Sequence, residues 1–283
     1  MTFSSHALRL VVRFLGFSHL LIALGAGACV YITFNVAGIE GGNECENFPV
    51  ICFITACTGL GYSVQRFIKT RVFPSCVPKD RLDFLGKYGV ALVLLWSVVW
   101  GWSFVNVFEI FTSSVLWILI ALGGAGLSYA ILPRFFHGLA RSVRELPGAK
   151  LPVLSLVWGG ATVVLPLMIV GADLDYELIW WIFIARVLYI AGLTIPFDVR
   201  DLNVDDDNMR TLPMMMGVVR SLWLACGLVV VSGCVYAYLN MYNLTAHALL
   251  TAVLVCPRVY KSYWGEWYYS LLLDGMLVLL FIV

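Results

Sequence analysis

Nine apolar segments, each long enough to cross a bilayer, follow one another along this chain of 283 residues. A helix needs about 20 mostly apolar residues to cross the ~30 Å hydrocarbon layer. Because lipid cannot hydrogen-bond to an open backbone, each spanning segment has to satisfy its own polar groups as a helix. We therefore predict nine transmembrane helices, at roughly 12–36, 49–68, 88–108, 111–132, 151–171, 178–197, 213–238, 244–260 and 267–283.

The composition supports this class and excludes others. Hydrophobic residues make up 61% of the chain and charged residues 12%, whereas a soluble domain carries about 25% charged residues. The net charge is +1 and no basic patch is large enough for nucleic acid, so we expect membrane lipid as a partner and no nucleic acid. We find no internal repeat, linker or soluble segment. We therefore predict a single all-α transmembrane domain over residues 1–283.

The charged residues also predict an orientation. All but two of the 18 Lys and Arg residues lie in the N-terminal segment or in and beside alternate loops. The intervening loops contain neither residue and carry mostly acidic charge. Because basic loops stay in the cytoplasm, we expect a cytoplasmic N-terminus and an external C-terminus. We expect the location to be a bacterial inner membrane.

One segment between the sixth and seventh predicted spans carries unusual charge. Residues 196–213 contain five aspartates and two arginines. Asp198, Asp201 and Asp205 have the spacing i, i+3, i+7, which places three carboxylates on one face of a helix. Magnesium prefers a few carboxylates together with substrate phosphates. This spacing favours a magnesium site, although an acidic loop between spans is more often simply solvated.

Basic side chains lie near this segment in the sequence. Arg200 and Arg210 flank the aspartates, so they could pair with them or reach phosphate oxygens. The preceding basic loop contains Arg144 and Lys150. We predict that Lys150, at the mouth of the fifth span, contacts an anionic ligand. The alternative is ordinary positive-inside charge in contact with anionic lipid.

The segment Asp198-Val-Arg-Asp201-Leu-Asn-Val-Asp205, followed by Arg210-Thr-Leu-Pro213, resembles the second aspartate-rich motif of the UbiA superfamily of intramembrane prenyltransferases. Two weaker stretches agree with the family, residues 127–133 and residues 144–150 followed by 157–159. The order of nine spans is also similar to the family's.

The resemblance implies a fold and an activity. Nine helices would surround a central cavity that opens to lipid, and a polyprenyl diphosphate would lie in it. Magnesium ions would bridge the diphosphate to two facing aspartate motifs, with Asp198, Asp201 and Asp205 as the catalytic metal ligands of the second. Loss of diphosphate would leave an allylic cation, which a small hydrophobic acceptor, such as an aromatic ring, would capture.

The first aspartate motif of the family is not present in this chain. At the corresponding end of the second span the sequence reads Gly61-Tyr62-Ser-Val-Gln65-Arg66-Phe-Ile-Lys69. Tyr62, Gln65 and Lys69 stand where the family has its three aspartates. Two-metal ionisation by facing aspartates is therefore excluded in the form that the family uses.

Three interpretations follow from this departure. In the first, a phosphorylated lipid still binds, held by one metal on the remaining aspartates and by Arg66 and Lys69, with Tyr62 and Gln65 beside them. In the second, the chain is a non-catalytic relative that binds a lipid or a partner protein. In the third, Arg66 and Lys69 form ion pairs with the aspartate face and hold no ligand.

Overall fold

The computed structural model describes residues 11, 13–39, 44–72, 74, 77, 79–130, 148–172, 175–202, 211–260, 265 and 267–283. These residues form helices joined by turns, and no β-strand occurs among them. The helices are α1 (Leu20–Val36), α2 (Glu44–Val72), α3 (Lys79–Val107), α4 (Ser113–Ala130), α5 (Lys150–Gly159), α6 (Leu165–Ile169), α7 (Tyr176–Asp201), α8 (Leu212–Met216), α9 (Val218–Tyr238), α10 (Tyr242–Val255) and α11 (Asp274–Leu279).

Length and composition identify the helices that can cross a membrane. Five long helical stretches are apolar enough to do so, and four shorter apolar helices accompany them in the described part of the chain. The exposed face of α3 presents Leu94, Val98 and Val105, as expected for side chains that face lipid rather than water. The chain is an all-α integral membrane protein. The count of nine spans and the central cavity stay predictions.

Several predicted spans are interrupted in ways that the hydropathy did not show. The first breaks at His19, whose φ of 60° lies in the left-handed region that few non-glycine residues adopt. The seventh breaks at Gly217, whose φ is 83°. The helix of the eighth predicted span, α10, ends at Val255, two residues before Pro257. The ring of a proline disfavours helical conformation at the residue before it.

The fifth span contains a π-helical segment at Gly160–Val164, between α5 and α6. A π segment widens the helix and disturbs the regular i→i−4 hydrogen bonds. The Thr33 hydroxyl donates to the Thr162 carbonyl oxygen at 2.9 Å, and both side chains are buried. This bond from a second helix stabilises the backbone at the irregular turn.

The Cα positions group into two compact units. The first comprises residues 1–32, 41–109 and 263–282, and the second comprises residues 33–40, 110–262 and 283. In the first unit α2 packs along α3, and in the second unit α7 packs against α5 and α9. The single domain predicted over the whole chain stays a prediction.

Candidate functional site

The candidate site in the second unit is a group of ion-paired side chains, and its first member lies at the start of α5. Gly148 has a φ of 71°, a conformation that a residue with a Cβ adopts at a cost. Two residues later, Lys150 is the first residue of α5. The turn at Gly148 therefore determines where α5 begins and where the Lys150 side chain is presented.

The last turns of α7 bring a carboxylate to this lysine. Asp198 is 1% exposed, and its Oδ1 forms an ion pair with the Lys150 ammonium group. The side chain of Lys150 is 18% exposed. Burying a carboxylate is costly unless a counter-charge accompanies it. The lysine supplies that charge, so the ends of α5 and α7 are joined by a buried ion pair.

A second ion pair lies beside the first, at the end of α7. Arg200 Nε donates to Asp201 Oδ1 at 2.8 Å, and Arg200 Nη2 donates to Asp201 Oδ2 at 3.3 Å. The Arg200 guanidinium also lies 5.1 Å from the centroid of the Phe197 ring. These side chains are more exposed than Asp198, at 19% for Arg200 and 30% for Asp201. We call Lys150, Asp198, Arg200 and Asp201 the Asp198 cluster.

Thr211 begins the segment that follows the described end of α7, and its neighbour Leu212 lies near Gly148. α8 packs against α7, and a Cβ built on Gly148 would lie 4.0 Å from Leu212 Cδ2. Thr211 is 4% exposed, and its hydroxyl oxygen has no hydrogen-bonding partner in the structure as described. A buried hydroxyl in that state can donate to a ligand oxygen.

The cluster does not fit a magnesium ion well. Asp198 and Asp201 are each neutralised by a basic side chain, so a metal would have to displace those cations. Within the described ranges, no three His, Cys, Asp or Glu side chains come close enough together to hold a metal. The third predicted ligand, Asp205, lies outside the described residues, as do Arg144 and Arg210.

The predicted residues of the second span lie in the first unit, on the C-terminal half of α2. Tyr62, Gln65, Arg66 and Lys69 are all half-buried there, and Tyr62, Arg66 and Lys69 each take part in further interactions. Their predicted contact with the aspartate segment stays a prediction.

A basic environment surrounds the break before α1 in the same unit. The His19 ring centroid lies 6.2 Å from that of Tyr62, and His19 Nδ1 is 3.3 Å from Ser63 Oγ. Arg66 and Arg81 are close enough to His19 to act on it electrostatically. His19 and Arg81 were not connected with the second span from the sequence, because His19 precedes α1 and Arg81 belongs to α3.

No protein-family model matches the chain, and no curated protein matches its sequence. Solved structures do match. A UbiA homolog from Archaeoglobus fulgidus bound to Cd²⁺ has a TM-score of 0.58 at 15% identity, over 96% of this chain and 100% of that one. A UbiA homolog from the same organism bound to DMAPP and Mg²⁺ has a TM-score of 0.55 at 14% identity, over 95% of this chain and 99% of that one. A structure of digeranylgeranylglyceryl phosphate synthase has a TM-score of 0.57 at 12% identity, over 96% of this chain and 97% of that one.

The chain has the UbiA fold. The predicted all-α membrane fold is thereby confirmed, and the likeness in fold agrees with the resemblance drawn from the second aspartate motif. At identities of 15% and below, the likeness shows the fold and leaves the chemistry to this chain's own residues.

Lys150, Asp198 and Asp201 were selected from the sequence, and pairing with the aspartates was one predicted role of Arg200. The structure brings these four residues together. The pairing of Lys150 with Asp198 was not foreseen, because the two residues belong to different helices. Thr211 was given no role, although its place directly before the Leu-Pro helix start was visible.

Proposed function

We propose that this protein binds an isoprenoid diphosphate in the membrane and transfers its prenyl group to a small hydrophobic acceptor, which we take to be aromatic. The observation that carries the proposal is the buried Lys150–Asp198 ion pair at the end of α7, with Arg200 and Asp201 beside it. A fold shared with a UbiA homolog that binds DMAPP, a prenyl diphosphate, supports this ligand class.

The reaction requires one bond to break and one to form. The bond between the allylic carbon and the diphosphate oxygen breaks, and its electron pair leaves with the diphosphate. The acceptor then forms a bond to the allylic cation and loses a proton. Lys150 and Arg200 would neutralise charge that grows on the leaving group, where positive groups stabilise the transition state most. An apolar surrounding excludes water, which would otherwise capture the cation.

The other predicted residues keep proposed roles. Asp198 and Asp201 orient the two cations, and Asp205 and Arg210 extend the same motif. Arg66, Lys69 and the adjacent Tyr62 and Gln65 are proposed to contact the diphosphate. Arg144 is proposed as a further contact from the basic loop. Magnesium on the three aspartates stays a prediction from the sequence, and no step above depends on it.

A non-catalytic function is the second candidate. No carboxylate remains in the stretch that corresponds to the first motif, and both described carboxylates of the second have basic partners. A protein that holds a phosphorylated lipid or a partner protein without cleaving anything would tolerate both changes. Binding and cleavage therefore have to be measured separately.

The binding step can be tested with tritiated farnesyl diphosphate and the protein in lipid nanodiscs. We expect saturable binding that unlabelled farnesyl diphosphate displaces and farnesol does not, because the headgroup contributes charge-assisted hydrogen bonds. Inorganic diphosphate as a competitor separates headgroup recognition from recognition of the chain. Displacement by farnesol as effectively as by farnesyl diphosphate would contradict the assigned ligand class.

A further inference from the structure

We propose that Lys150 and Arg200 replace a divalent metal ion at the Asp198 cluster, so that this chain holds an isoprenoid diphosphate headgroup without a metal. The inference rests on the proposed function and adds how the headgroup is held. It concerns the metal, because one solved structure of similar fold is bound to DMAPP and Mg²⁺.

The first observation in support is the burial of Asp198. At 1% exposed, its carboxylate has little access to water. An ionised carboxylate in such a place needs a permanent counter-charge. In this chain that charge is the Lys150 ammonium group, attached covalently at the first residue of α5. The counter-charge is therefore present whether or not a metal ion is available.

The second observation is the charge balance of the Asp198 cluster. One magnesium ion on two carboxylates gives a net charge of zero. Lys150 and Arg200 on Asp198 and Asp201 give the same net charge. A metal ion added to this cluster would bring two further positive charges or would have to displace Lys150 from a buried partner. Displacing one member of a buried ion pair is strongly unfavourable.

The third observation concerns the hydrogen-bond donors that are available for a diphosphate. A metal ion holds a diphosphate through its oxygens, and ammonium and guanidinium groups address the same oxygens with N–H donors. Thr211, which begins the segment after α7, adds a buried hydroxyl without a hydrogen-bonding partner among the described side chains. The two cations of the cluster are therefore the groups that we infer to recognise a phosphate group.

The decisive experiment measures farnesyl diphosphate binding to the full-length protein in nanodiscs, once with EDTA and once with magnesium chloride. We expect the dissociation constants in the two buffers to agree within about threefold. Binding seen only with magnesium would overturn this inference and leave the proposed function standing. Absence of saturable binding in both buffers would overturn the proposed function and this inference with it.

Two variants make the test specific to Lys150. In Lys150→Gln we expect affinity in EDTA to fall about tenfold or more, the loss of a charge-assisted hydrogen bond. Because this variant frees the Asp198 carboxylate, magnesium should restore part of the binding. In Lys150→Gln combined with Asp198→Asn, magnesium should restore nothing.

A readout without lipid accompanies these measurements. Electron paramagnetic resonance reports bound manganese directly. We expect Lys150→Gln to bind at least one more manganese ion than the wild-type protein, and the double variant to lose it. Equal manganese binding by the wild-type protein and Lys150→Gln would overturn the replacement of the metal by the lysine.

Discussion

The Asp198 carboxylate forms a buried ion pair with Lys150. Asp198 is nearly inaccessible, and the Lys150 side chain is 18% exposed. A contrasting pair is present in the first unit, where Arg13 Nη2 donates to Asp80 Oδ2 at 2.7 Å with side chains that are 49% and 60% exposed. The two pairs have the same chemistry and differ in burial, so they should contribute differently to stability.

We expect Lys150→Met to destabilise the protein by about 3–5 kcal/mol, because the buried Asp198 carboxylate loses the lysine of its ion pair. Arg13→Met, the matched control, should cost at most about 1 kcal/mol, as exposed ion pairs do. Adding Asp198→Leu to Lys150→Met should recover most of the loss. Thermal unfolding in detergent micelles measures all three. Equal shifts for Lys150→Met and Arg13→Met would contradict the assigned burial of the pair.

At the scale of the helices, close approach between α7 and α9 holds the end of α7 in place. A Cβ built on Gly192 would lie 2.5 Å from Val229 Cγ2 and 2.7 Å from the Ala225 carbonyl oxygen. One contact is with backbone, which cannot rotate away. Small residues at such positions let membrane helices pack closely. By contrast, a Cβ on Gly227, which is exposed on α9, would meet nothing within 4 Å.

Gly192→Ala should therefore destabilise the protein by about 1–3 kcal/mol, the usual cost of overpacking. Gly227→Ala should be neutral, or stabilising by up to about 1 kcal/mol, because alanine favours a helix over glycine. Thermal unfolding of the two variants, compared at the same detergent concentration, gives the difference. A larger loss for Gly227→Ala than for Gly192→Ala would show that α7 and α9 do not approach each other here.

The helices also show which features a sequence pattern can predict and which it cannot. Hydropathy located the apolar helices because the membrane imposes their length. It did not locate the left-handed break at His19 or the π segment at Gly160–Val164. Both depend on contacts between helices, such as the bond from Thr33 to Thr162. Such contacts leave no periodic pattern in a sequence that is apolar on every face.

At the scale of the whole molecule, the UbiA fold brings residues together that the sequence keeps apart. The motif at Asp198 and Asp201 was readable because its members lie on consecutive turns of one helix. Its partner Lys150 begins another helix, so the pair became visible only in three dimensions. Sequence reasoning therefore predicted the fold and selected the charged residues of the candidate site. The pairing of Lys150 with Asp198, which changes the expected metal chemistry, required the structure.

The proposed cleavage of an isoprenoid diphosphate by this protein is tested most directly by measuring diphosphate release. Purified protein in nanodiscs is incubated with farnesyl diphosphate labelled in the terminal phosphate and a set of small aromatic acceptors, and soluble labelled diphosphate is counted over time. The account predicts release above the rate in empty nanodiscs and a rate at least about tenfold lower in Lys150→Gln. Release no faster than in empty nanodiscs, from a protein that binds farnesyl diphosphate, would contradict catalysis and leave a lipid-binding protein.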